Sequence, residues 1–183
     1  AGNATITTAD NTDTLSLIST DGDALVGPVL RLFRNSSSPA DDDVIGNLIF
    51  SGQDGAGNET DFLTFQVNAS DVANGAEDGF MRIMMPVAST STEFFRMNPA
   101  GFVFNEGSVD MDFRVESNGD ANCFFVNGGN NFVGIGTSTP GTSAGLSKIL
   151  EIQGADPGLV LRDNTASDVI EMYNSGGSTV FFN

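Results

Sequence analysis

Residues Val109 to Pro140 read VDMDFRVESNGDANCFFVNGGNNFVGIGTSTP. Met111, Phe113 and Val115 alternate with Asp110, Asp112, Arg114 and Glu116, the period-two pattern of a strand with one face buried and one wet. Ser117-Asn118-Gly119-Asp120 follows as a tight turn, because Asn and Gly accept the positive φ that such turns require. A second apolar run, Cys123 to Val126, ends at Asn127-Gly128-Gly129-Asn130-Asn131, which turns the chain again. The third strand, Phe132 to Thr137, carries VGIGT, in which Gly134 and Gly136 alternate with Val133 and Ile135. Within VGIGT one face is branched and apolar and the other carries no side chains, which predicts the close approach of another backbone.

Outward from this stretch the same alternation recurs. Towards the N-terminus, Phe102 to Phe104 and Glu93 to Met97 frame a hairpin at Asn98-Pro99-Ala100-Gly101. Phe80 to Val87 reads as a strand ending near Pro86, and Leu63, Phe65 and Val67 alternate with Thr64 and Gln66. Val44 to Phe50 is a further strand, followed by a Gly-rich turn over Ser51 to Thr60. Val29 to Arg34 follows Gly27-Pro28, with Leu30 and Leu32 on one face, and Leu15 and Leu17 begin the first strand. Ala1 to Thr14 is a leader or an edge strand, and only Ala144 to Leu150 has the make-up of a helical turn. Short strands with turn signals about every dozen residues predict an all-β fold.

The two ends of the chain repeat each other. Leu15-Ser16-Leu17 matches Leu150-Glu151-Ile152, and PVLRLFRN (Pro28 to Asn35) matches PGLVLRDN (Pro157 to Asn164). Val44-Ile45 then matches Val169-Ile170, and both copies reach a Ser-Gly turn, at Ser51-Gly52 and Ser175-Gly176. The expected organisation is a complete module over 15–140, a linker over 141–149 and the start of a second module over 150–183, after a leader over 1–14. Ala1 at the start and Val180-Phe181-Phe182-Asn183 at the end suggest a processed chain or a segment of a longer one. Repetition along one axis suits a fibre.

FRVESNG, FFVNGG and VGIGTSTP, with GPVLRLFRNSSSPADDDVIGNLIFSGQDGAGNET and an acidic EDG turn upstream, resemble tail-fibre proteins of tailed bacteriophages, especially marine ones. The resemblance covers nearly the whole chain and its motifs are structural. It implies an elongated fibrous homotrimer, an intertwined or β-helix-like shaft in the virion. Its implied partners are other copies of itself, other virion tail or fibre proteins, and a host surface glycan or protein touched through the loops. It brings no catalytic residue with it.

Composition narrows the function independently. Seven Lys and Arg stand against 24 Asp and Glu, for a net charge of −17. Neither nucleic acid nor an anionic membrane surface is an expected partner of such a chain. An acidic surface with Lys148 as its one lysine suits a saline medium, where salt screens self-repulsion. There is no histidine, which removes the commonest general base and metal ligand. No stretch reaches membrane-spanning length; Phe80 to Ala88 is the most apolar and is interrupted by Arg82 and Pro86. The single Cys123 reads as a small buried apolar residue.

Sites of chemistry are scarce. Gly134-Ile135-Gly136 lacks the third glycine and the helix of a phosphate loop. Asp41 to Asp43, Asp21/Asp23 and Asp110/Asp112 carry hard oxygen ligands without the spacing of a calcium loop, and read first as solvated acids. Asp110 and Asp112 lie on one strand face with no aromatic sugar platform, so a glycosidase pair is not expected. Asn3, Asn35, Asn58 and Asn68 stand in N-x-S/T sequons, which would matter only in a eukaryotic secretory route. Arg31, Arg82, Arg96 and Arg114 sit inside apolar strands and read as cross-strand or intersubunit partners for the acids. The expectation is therefore a structural protein, with no enzyme activity and no cofactor. Its core and trimer contacts are expected at Leu30, Leu32, Leu63, Phe65, Met111, Phe113, Val115, Phe125, Val133 and Ile135. The alternative is a secreted bacterial or archaeal filament subunit that polymerises by donating Ala4 to Thr8 as a strand.

Overall fold

The computed structural model describes residues 4–141, 145–162, 169–175 and 178–182. Among these residues the regular structure is all strand, and the fold is all-β with no helix. β1 (Asp43–Gln53), β2 (Glu59–Asp71), β3 (Asp78–Val87), β4 (Thr90–Asn98) and β5 (Gly101–Phe104) form an antiparallel meander in chain order. β6 (Phe113–Val115), β7 (Phe124–Asn127), β8 (Phe132–Ile135) and β9 (Leu150–Ile152) make a second sheet, whose last pair is parallel. β10 (Gly158–Arg162), β11 (Val169–Ser175) and β12 (Ser178–Phe182) make a third, antiparallel sheet.

Turn chemistry explains most of the connections. The Asp54 carboxylate accepts from the backbone N–H of Ala56 at 2.8 Å and of Asn58 at 2.9 Å, closing the β1–β2 hairpin. Asn98 Oδ1 likewise accepts from Ala100 N at 3.0 Å and Gly101 N at 3.1 Å between β4 and β5. Pro86 lies beyond the last β2–β3 pair, Thr64 with Met84, where β3 has a neighbour on one side only. A missing N–H is tolerated at such an edge.

The register sorts side chains onto two faces of the first sheet. One row runs Leu48, Phe65, Ile83, Phe95, Phe104, and the next Val67, Met81, Met97, Phe102. The opposite face carries Asn47, Gln66, Arg82 and Arg96 in one row. The first of these faces is the more apolar, and among the described residues no second layer covers it. Among the described residues the one buried hydrophobic side chain is Phe125, 4% exposed. It shares a sheet face with Gly134, its partner in the β7–β8 ladder. A Cβ on Gly134 would stand 2.6 Å from Thr137 O and 3.6 Å from Pro140 Cβ. The space that a side chain at Gly134 would need is therefore filled by its own chain returning through Thr137 and Pro140, the close approach that the glycines predict.

Several local expectations are corrected. Leu15 to Leu17 and Val29 to Arg34 belong to no strand, although β10, the repeat of the latter, does. Alternation makes a segment able to pair, but a strand also needs a free edge in register. Leu32 comes no closer than lying beside Gly46, 3.3 Å from where a Cβ would stand. The alternating run at 109–116 becomes strand only at Phe113, because the backbone of Met111 is wedged against Gly128, where any Cβ would overlap it. β8 ends at Ile135 rather than Thr137, since the chain turns at Gly136 with φ 75°. Ser51-Gly52 lies inside β1, and the turn sits at 54–58. No helical turn forms over 145–149, while Ala144, Asn164 and Gly176 lie outside the described residues. Cys123 is exposed, not buried. Across the 141–149 stretch, β9 pairs with β8 in parallel.

Candidate assembly surface

The apolar face is continuous across two sheets. Phe95 lies 6.1 Å from Phe102 and 5.2 Å from Phe104, ring centre to ring centre. Phe104 then reaches Phe113 of β6 at 5.1 Å, and Phe113 reaches Phe124 of β7 at 6.2 Å. These separations suit tilted aromatic contacts. The row continues into Val126, Val133 and Leu150, which pair in register with Phe113. Much of it is in water: Phe102 is 68% exposed and Phe104 55%, and Leu48, Phe50 and Val115 are exposed as well.

The expected packing residues divide accordingly. Leu63, Phe65, Phe113, Val133 and Ile135 are half-buried on strands, and Met111 is half-buried just before β6. Val115 is on this face but exposed, and Phe125 faces the other way into the chain's own small core. Leu30 and Leu32 are exposed on a segment outside any sheet. Sequence reading missed the run of ring contacts from Phe102 through Phe95 and Phe104 to Phe113 and Phe124. The alternation places each of them on a face, but the join between two sheets is not periodic.

The accessible surface of the chain is 13785 Å². A self-contained globule of this mass would expose about 8,400 Å². Roughly 5,000 Å² beyond that norm remains open in the single chain, shared between the exposed segment 4–42 and the sheet faces. Isolated monomers rarely expose large contiguous apolar patches.

The polar face is organised differently. Glu93 bridges Arg96 Nε at 2.5 Å and Arg82 Nη1 at 3.5 Å, and Arg96 also reaches Glu106 at 3.7 Å. The Arg96 hydrogen bond, opposed by partial burial and aided by the charges of both arginines, holds the Glu93 carboxyl below its ordinary value. Arg114 pairs with Glu116 at 2.6 Å, and Arg31 lies over Phe33 at 4.9 Å instead of pairing with an acid. The acidic turns are engaged locally. Asp41 accepts from Val72 N, Asp43 pairs with Arg34 at 2.8 Å, and Asp112 accepts from Gly128 N. Among the described residues no three His, Cys, Asp or Glu side chains are grouped to hold a metal ion. Among them, too, no helix is long and apolar enough to cross a membrane. The chain matches no protein-family model, and no curated protein is significantly similar to it.

Proposed function

We propose that this chain is a structural, non-enzymatic segment of a bacteriophage tail fibre. Three parallel copies bury the apolar face of the two sheets around a common axis, with the virion as its location and host-receptor contacts in its loops. The observation that carries the assembly is the uncovered aromatic row from Phe102 to Phe124, with the large surface left open by one chain. Burying such area at roughly 25 cal/mol per Å² is the driving force available to it. The viral placement rests on the resemblance of VGIGTSTP and its neighbouring motifs. Sedimentation with electron microscopy of the purified protein tests the reading. An elongated particle of three chains is expected, and a compact monomer would reject it.

A second reading, a filament subunit that donates its N-terminal strand, is favoured by one feature. No backbone–backbone hydrogen bond holds residues 4–39 among those described. Head-to-tail filaments one subunit wide would select that reading over a trimeric shaft.

A further inference from the structure

The N-terminal segment has a specific seat, and the other end of the chain shows what that seat is. β9 lies parallel to β8 with Leu150 opposite Val133, Glu151 opposite Gly134 and Ile152 opposite Ile135. Val133 N donates to Ile149 O at 3.0 Å, and Gln153 N donates to Ile135 O at 2.8 Å. Immediately after β8, Gly136 takes φ 75°, and a Cβ there would overlap Gln153 O. A left-handed glycine thus lets the incoming strand come down onto the end of β8. The requirements on that strand are two apolar residues at i and i+2 and an unencumbered backbone beyond them.

Leu15-Ser16-Leu17-Ile18 meets them, as the repeat of Leu150-Glu151-Ile152-Gln153. It is extended and unpaired, with Leu15 61%, Leu17 50% and Ile18 80% exposed. The β8 of this chain is not available to it, since β7 and β9 already occupy both edges. We propose that Leu15–Ile18 docks as a parallel strand on the β8-type strand of another copy of the module, with Leu17 in the place of Ile152. Successive modules are then joined by a shared sheet, as β8 and β9 join the two copies here.

A two-module protein tests this, made of residues 1–141 followed by residues 4–183, so that the first β8 lacks its own β9. Cys123→Ala is introduced throughout, Ile135→Cys in the first half, and either Leu17→Cys or Ile18→Cys in the second. Leu17 should cross-link on oxidation at least tenfold faster than Ile18, whose side chain points to the other face. Equal rates, or no cross-link at 17, overturn the proposal. A second measurement uses the single chain with Glu151→Ser, Ile152→Leu and Gln153→Ile, which grafts the N-terminal strand into β9. The residue-153 amide should keep the slow hydrogen exchange of the parent, and exchange at the rate of an open segment overturns it equally. Neither readout depends on how many chains assemble, so a failed trimer and a failed joint are told apart.

Discussion

Arg82 on β3 and Arg96 on β4 stand directly opposite each other in the ladder, two cations at one cross-strand position. Like charges so placed repel. Glu93 resolves the conflict by binding both, and it reaches them because a bulge between Ile83 and Met84 resets the register of β4. Gln66 on β2 accepts from Arg82 Nε at 2.8 Å, and both guanidinium groups lie over Phe80, at 5.9 and 5.3 Å. One carboxylate thereby ties β3 to β4, and the Gln66 amide extends the tie to β2.

That tie should be acid-sensitive. The folded Glu93 carboxyl lies below its ordinary 4.5, so its contribution is fully present above that value and fades as pH falls through the lower folded one. Glu93→Gln should cost about 1–2 kcal/mol at neutral pH, because two facing arginines lose their shared anion. The same variant should show a shallower loss of stability below about pH 4.5. Urea titrations of both proteins at neutral and acid pH check this. An unchanged acid limb would assign the effect to other carboxylates.

The β3–β4 turn is strained. Val87 pairs with Thr90, leaving a two-residue loop in which Ala88 and Ser89 both take positive φ, 47° and 69°. Asn-Gly is the pair such turns prefer. Replacing Ala88→Asn together with Ser89→Gly should therefore stabilise the fold by roughly 1 kcal/mol. A thermal melt that fails to rise would mean that this turn is relaxed in solution.

Phe113 links the two sheets in the aromatic row. In the proposed trimer Phe113→Asp should give dissociated or aggregated chains, because the shared face would bury like charges without partners, at a cost of several kcal/mol. Asp112→Asn should leave assembly nearly unchanged, since an amide oxygen can still accept from Gly128 N. Sedimentation of both variants decides. An intact trimer carrying Phe113→Asp would place the interface on another face.

Two glycines should respond oppositely to the same change. A Cβ on Gly128 would overlap the Met111 backbone, whereas one on Gly55 meets nothing within 4 Å. Gly128→Ala should cost about 1–3 kcal/mol, with Gly55→Ala close to neutral. Equal melting temperatures for the two would mean that the 109–112 segment does not sit against β7.

Much of the fold is written in local pattern. Leu63, Phe65 and Val67 fix a strand and its apolar face by alternation alone, and Asn98-Pro99-Ala100-Gly101 fixes a turn by its residue types. The glycines of VGIGT likewise announce a close approach without naming the partner. The Ala88-Ser89 hairpin was not legible, because neither residue is one that positive φ normally selects. The aromatic row was not legible either, since Phe104 and Phe113 meet across the join of two sheets. Pairing itself was decided last. Pro28 to Asn35 and Pro157 to Asn164 share a pattern, yet a strand is described only within the second, at Gly158–Arg162, paired with β11. Sequence determines which segments can pair and which face they bury. Only the tertiary structure decides which of them finds an open edge, because backbone hydrogen bonds are satisfied by a neighbour in space and not by a residue type.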